Sequence, residues 1–428
     1  MSQRPRPPIQ VYLPLTSLDE CRVCNGKDNL RLCSGCAESV YCSRECQTND
    51  WKEHKPTCKT HRIDIVSLYP VLASLQDHCR FHVDRKETLH PALKHKIVRE
   101  DGNATLADGT IRHLITLGAP FAIGHIISNE RLQEWHPTAR SDSERLDLWH
   151  MLMRHSDPAP LVVATCIALL RSIYTTNTTG SAHPRTRLRY RSSPISDFGI
   201  CAGSVELISM ASFPLAIQLP NGNFVPRPSS KNHHWIYFTT VHKEELILDC
   251  NLFCMEYPHV VSMKGYDLPW KHPTTPGDEK AVPVHFVDRS RKRYLNTLPV
   301  YKPRRTISVL RDTTLQLAIS QIIQPPLGPN VLVPQAILVF MDKVAGKGRR
   351  LTQEGRDLFQ EWVLRIFRGL DEVTIQSNAW KRFPEDPNGL VLLTTYQDMI
   401  GVDSSPEAIE AFASLCAVNS LMIKSSDS

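Results

Sequence analysis

Apolar positions recur along most of the chain, and their period separates its elements. Ile65, Leu68, Val71, Leu72 and Leu75 repeat at helical spacing, and residues 89–97 continue with charged residues between apolar ones, so helices are predicted over both stretches. From 111 to 127 apolar residues alternate with small ones, a run too short to separate a strand from a buried helix. Asp157-Pro158-Ala159-Pro160 is a helix start, with a capping carboxylate and proline in the first turn. It opens LVVATCIALLRSIY, an apolar helix of about four turns. HHWIYFTTV (233–241) and LILDCNLF (246–253) flank a turn at Lys243-Glu244 and predict a β-hairpin. Asp312 caps a helix predicted over about 313–323, and residues 351–370 place Leu358, Phe359, Trp362, Val363, Ile366 and Phe367 on one helical face. Ser405-Pro406-Glu407 opens a last helix, AIEAFASLCAVNSLM.

Helical and strand periods both occur, so the fold class expected is α+β, with an antiparallel sheet. The chain has 428 residues, of which 41% are hydrophobic and 22% charged, enough for a small module plus a larger globular body. No run approaches the length of an apolar membrane span. The net charge of +6 neither demands nor excludes nucleic acid. Pro5, Pro7, Pro8 and Pro14 mark residues 1–20 as an extended arm; Pro269, Pro273, Pro276 and Pro283 mark a link between a mixed body, 61–265, and a mostly helical region, 284–422.

Residues 21–58 change this picture, because they hold seven of the thirteen cysteines together with His54. Cys21/Cys24, Cys33/Cys36, Cys42/Cys46 and His54/Cys58 form four close pairs, the spacing of ligands for two metal ions. A disulfide framework is the competing reading. The polar, proline-rich start MSQRPRPPIQ carries no apolar leader, so an intracellular, reducing compartment and metal ligation are expected. Eight ligands close two tetrahedral shells and leave no position for water, which makes the ions structural. Gly26 and Gly35 are expected to supply positive φ in the turns, and 43–54 to form a short helix.

The order Cys-x-x-Cys, Cys-x-x-Cys, Tyr41-Cys42-Ser43, Cys46-Gln47, Asp50-Trp51, His54-Lys55, Cys58 resembles the MYND-type zinc finger at every ligand position. The resemblance implies that Cys21, Cys24, Cys42 and Cys46 hold one zinc ion and Cys33, Cys36, His54 and Cys58 the other. It implies a protein partner, a short proline-containing peptide docking near Tyr41, Gln47 and Trp51. Trp51 also fits the role of the finger's only core aromatic. Pro325-Pro326-Leu327-Gly328-Pro329 has the Pro-x-Leu-x-Pro shape of such a ligand, although thirty-one prolines make a chance match easy. Some MYND fingers accompany a methyltransferase SET domain, but neither an Asn-His-x-Cys turn nor a closing Cys-x-Cys-x-x-Cys cluster occurs here.

One other stretch carries reaction-centre chemistry. Residues 197–204 read as a turn feeding a helix, VELISMA, with Cys201 near its N-terminus, where the dipole favours a thiolate. The hairpin is expected to bring His234 and Asp249 together, completing nucleophile, base and orienter for thiol acyl transfer. The order Cys201, His234, Asp249 resembles a transglutaminase-like core, implying a cysteine-dependent acyltransferase or peptidase-like hydrolase. The structural alternative makes Cys201 a small buried residue, His234 a sheet histidine and Asp249 a turn residue. Of two basic sets, Arg185/Arg187/Arg189/Arg191 reads as a charged strand edge rather than a nucleic-acid patch, since Tyr190 alone offers a stacking ring. The other, Arg289, Arg291, Lys292 and Arg293 with Lys302, Arg304 and Arg305, reads as a solvated face rather than a nuclear-import or nucleic-acid stretch. The function expected is thus a zinc-binding interaction protein, regulatory or scaffolding, with the thiol enzyme as alternative.

Overall fold

The computed structural model describes residues 11–58, 60–82, 90–106, 109, 111–121, 123, 128–175, 185–207, 215–226, 229–255, 259–270, 281–289, 299–321, 333–346, 350–387 and 389–391. The first ten residues of the arm, the Pro325–Pro329 segment, Arg291 to Arg293 and the helix expected from Ser405 lie outside them.

A small finger comes first: β1 (Arg31–Leu32) pairs with β2 (Val40–Tyr41), followed by α1 (Arg44–His54). Then β3 (Thr60–Asp64) runs directly into α2 (Ile65–His82). The long hairpin β4 (His95–Thr105) and β5 (Ile111–Pro120) precedes α3 (Asn129–Trp135), α4 (Asp142–Arg154) and α5 (Pro158–Tyr174). Next come β6 (Arg185–Tyr190), β7 (Ser193–Glu206), β8 (Leu215–Gln218), β9 (His233–Thr240) and β10 (Glu245–Asp249). Strands β11 (His259–Ser262), β12 (Ala281–Pro283), β13 (His285–Asp288) and β14 (Val300–Ser308) lead into α6 (Thr313–Gln321), α7 (Gln335–Ala345), α8 (Gln353–Asp371) and β15 (Gly389–Val391).

The main sheet has the order β13-β10-β9-β7-β6-β3, with β14 along the free flank of β7. Its pairs are antiparallel except β3 with β6, so the α+β class with an antiparallel sheet holds. Strands β4, β5 and β8 form a second sheet, and β12, β11 and β15 a third.

Helix α5 lies against the main sheet and against α8, and every residue from Ala159 to Tyr174 is buried. A helix apolar all round needs cover on every side. Part of that cover is the face of α8 expected from the sequence, with Phe359, Trp362, Val363, Ile366 and Phe367 buried. One apolar cluster extends from Ile63 to Phe383, so residues on both sides of the proline-rich stretch at 264–283 share a core. Strands β13 and β14 add to the sheet of the preceding residues.

Several expectations change. The helix predicted over 89–97 is instead a single tight turn, Pro91–Lys94, and the start of β4. Ile97 is buried while Val98 is exposed, the two-residue alternation of a strand. The ambiguous stretch at 111–127 begins as β5. Strand β6 is not an exposed edge: it lies between β3 and β7, and Arg187 is buried. Lys302, Arg304 and Arg305 do lie on β14, where they bind Glu206, the Lys231 carbonyl with Asn232, and the Val344 carbonyl.

Between α2 and α4, Arg154 makes two parallel 2.8 Å hydrogen bonds to Asp77, and Arg80 stands 3.8 Å from the same carboxylate and donates to Asn251. All four residues are buried. Removing one partner of such a set strands a buried charge. Asp77→Ala is expected to lower unfolding free energy by about 3–5 kcal/mol, measured as a drop in the denaturant midpoint at unchanged slope.

Candidate metal centre

The finger lacks an extended apolar core; its buried cluster is made chiefly of cysteines around Tyr41. What brings the ligands together is local. Ser43 caps α1 by accepting from the Cys46 amide at 3.2 Å, which sets Cys42 and Cys46 one turn apart. The same helix carries His54 two turns further, pointing into the second cluster. Positive φ occurs at Asn25 and Ala37, not at Gly26 or Gly35 as expected. The glycines matter for space instead: a Cβ on Gly35 would lie 2.8 Å from the Cys58 sulfur, and one on Gly26 3.3 Å from the Cys24 sulfur.

Two groups of donors result, Cys21/Cys24/Cys42/Cys46 and Cys33/Cys36/His54/Cys58, each with its ligand atoms within 4.8 Å of one another. In the first, the Cys24 and Cys42 sulfurs are 3.4 Å apart and those of Cys42 and Cys46 3.6 Å. In the second, the Cys33 and Cys58 sulfurs are 3.6 Å apart and the Cys36 sulfur is 3.5 Å from His54 Nε2. A tetrahedral zinc with sulfur at about 2.3 Å sets its ligand atoms about 3.8 Å apart, slightly less for nitrogen. Both sets fit. The pairing also matches the alternation implied by the resemblance. Each shell is complete with protein donors, so the two zinc ions are structural. Ser39 Oγ lies 3.3 Å from His54 Nδ1, an outer partner that leaves Nε2 facing the metal. Among the described residues no other group of three or more such donors meets the same geometry.

Residues 21–58 are therefore a MYND finger, and the family model described as MYND finger matches those residues. The curated relatives agree in extent. Human Egl nine homolog 1 is 46% identical over 39 residues, 9% of this chain and 9% of that protein. Ubiquitin carboxyl-terminal hydrolase 19 of Arabidopsis thaliana is 52% identical over 44 residues, 10% of this chain and 6% of the relative. Tudor domain-containing protein 1 of Danio rerio is 40% identical over 50 residues, 12% of this chain and 4% of the relative. The chain thus spans less than a tenth of the length of each. No solved structure matches it.

Of the three residues expected at a peptide surface, Trp51 alone is strongly exposed, at 42%. Tyr41 is buried and donates to Asp50 at 2.6 Å, and Gln47 reaches the Cys33 sulfur at 3.5 Å.

Cys201, His234 and Asp249 are not assembled into a triad. Cys201 lies inside β7 rather than at a helix N-terminus, and its sulfur meets the Thr306 hydroxyl at 3.4 Å. Cys201 pairs with Trp235 and Ala202 with His234 across β7 and β9. Neighbours along a strand point to opposite faces, so Cys201 and His234 are on opposite sides of the sheet. The Asp249 carboxylate accepts instead from His233 Nε2 at 2.6 Å, the Tyr301 hydroxyl at 3.1 Å and the Asn251 amide at 2.9 Å. His233 was one position from the expected base, and strand parity is the signal that separates the two. Burial pushes the Cys201 thiol above its ordinary range, with the Thr306 hydroxyl opposing. The transglutaminase-like arrangement is absent from this geometry.

Two outcomes are expected. Gly35→Ala weakens zinc binding at the second site by about tenfold or more, read by competition with a chromophoric chelator, while Gly26→Ala has the smaller effect. In the folded, zinc-loaded protein at neutral pH, Cys201 alkylates more slowly than a free thiol, read by mass spectrometry of the labelled peptides.

Proposed function

We propose that the finger is the protein-interaction module of this chain and that its partner is a short proline-containing peptide segment, the body serving a regulatory or scaffolding role. The observation that carries this reading is the exposure of Trp51 on α1, beside two closed zinc shells that leave no open position for chemistry. Trp51 stands edge-on to His54, with ring centroids 6.1 Å apart, so a zinc ligand braces its ring. Val23 is also exposed on the finger. A rigid exposed indole suits the flat apolar face of a proline ring, and extended proline-rich segments lose little entropy on binding. Fingers of similar sequence dock such peptides, and Gln47, half-buried beside Trp51's helix turn, remains the polar group for peptide backbone. The matches to the curated relatives are about as long as the finger, 39 to 50 residues, and take up 4 to 9% of each relative, which suits a portable binding unit.

The test is binding of a Pro-x-Leu-x-Pro peptide to the full chain by calorimetry, with metal content measured alongside. Trp51→Ala is expected to weaken binding about thirtyfold, the effect of an aromatic anchor worth about 2 kcal/mol, with two zinc ions retained. Equal binding by wild type and Trp51→Ala ends the reading, as does a failure of the wild type to bind.

A further inference from the structure

The finger is not a bead on a string. Its last ligand, Cys58, is followed after one residue by β3, the edge strand of the main sheet. Strand β3 pairs in parallel with β6, register Thr60 to Arg185 through Asp64 to Arg189. Two further links cross from the second zinc knuckle to these strands. Arg62 donates to the Ser34 carbonyl at 2.9 Å, and Glu38 forms an ion pair with Arg187. Both finger residues sit among the ligands: Ser34 lies between Cys33 and Cys36, and the Glu38 amide donates to the Cys36 sulfur at 3.3 Å.

Arg187 carries the connection inward. Its guanidinium donates to the Ile173 carbonyl at 3.1 Å and stands 5.4 Å from the centre of the Tyr174 ring, at the end of α5. Its side chain is 5% exposed and that of Glu38 14%. A charge buried to that degree is costly unless its partner is held in place. Glu38 is held there by the knuckle, and the knuckle by its metal ligands, because so small a module folds on its metal.

We propose that the second zinc site is coupled to the body through Glu38 and Arg187, so that loss of its ion loosens the β3–β6 edge and the last turn of α5. When the knuckle opens, Glu38 leaves, and Arg187 is left as an uncompensated buried cation. Water reaches it by parting β3 from β6 and from the end of α5. The central pairing of β9 with β10 and β7 contains none of these contacts and keeps its protection. Metal occupancy in the finger is then sensed by the body. This inference rests on zinc binding by the finger and is independent of the peptide reading.

The experiment is hydrogen–deuterium exchange of the full chain, zinc-loaded, chelator-treated, and as a zinc-loaded Glu38→Gln variant. Chelation is expected to speed exchange at 60–64, 185–189 and 170–175 by about tenfold to a hundredfold, the range for losing a hydrogen bond to a charged group, while 233–240 is unchanged. Glu38→Gln, with two zinc ions still bound, shows a smaller acceleration in the same segments. Changes confined to 21–58 on chelation overturn the proposal. Uniform loss of protection across the body also overturns it, as does unaltered exchange at 185–189 in Glu38→Gln.

Discussion

Helix α5 imposes the constraint on which the body depends. A helix that is apolar around its whole circumference has no stable exposed state, and the sheet, α7 and α8 supply the surfaces that cover it. Its last turn is also where the chain's separate parts converge. The Tyr12 amide donates to the Tyr174 carbonyl at 2.8 Å, Arg187 to that of Ile173, and Arg171 pairs with Asp371 of α8 at 2.7 Å. The end of the proline-rich arm, the finger and the C-proximal helices thus meet at one helix terminus, whose free carbonyls need partners. The cations there also suit the negative end of the helix dipole.

The finger obeys a different rule. It has too little apolar surface to fold by burial, and eight donor atoms in two tetrahedra substitute for a core. Closed shells exclude metal-assisted chemistry at either ion. They also let the finger present a rigid aromatic, Trp51, on a module of fewer than forty residues, because the ring is braced by His54 rather than by a hydrophobic interior.

The buried polar groups of the body are arranged by pairing. Asp77 with Arg154 and Arg80, and Asp249 with His233 and Tyr301, place charge-bearing groups in positions where an unmatched one would be costly. Neither set draws in Cys201. Its thiol sits next to Trp235 inside β7 rather than at a helix N-terminus, and burial outweighs what Thr306 and Arg289 do to favour a thiolate.

What the sequence by itself determined is local: ligand spacing over 21–58, the start and course of α5 from Asp157, the apolar face of α8, and the hairpin of β9 and β10. Each depends on contacts a few residues apart, where period and capping chemistry are sufficient. Tertiary structure decided the rest. Whether His233 or His234 meets Asp249 turns on strand parity, and a shift of one residue reverses the face. Cys201 followed strand pairing with β9 and β14 rather than a helix start, because the sheet offered its backbone partners on both sides. Arg187 became a buried link rather than an exposed edge charge because Glu38, 149 residues earlier, was folded against it. No local pattern encodes a contact of that separation, since its free energy exists only once the finger and the sheet are both in place.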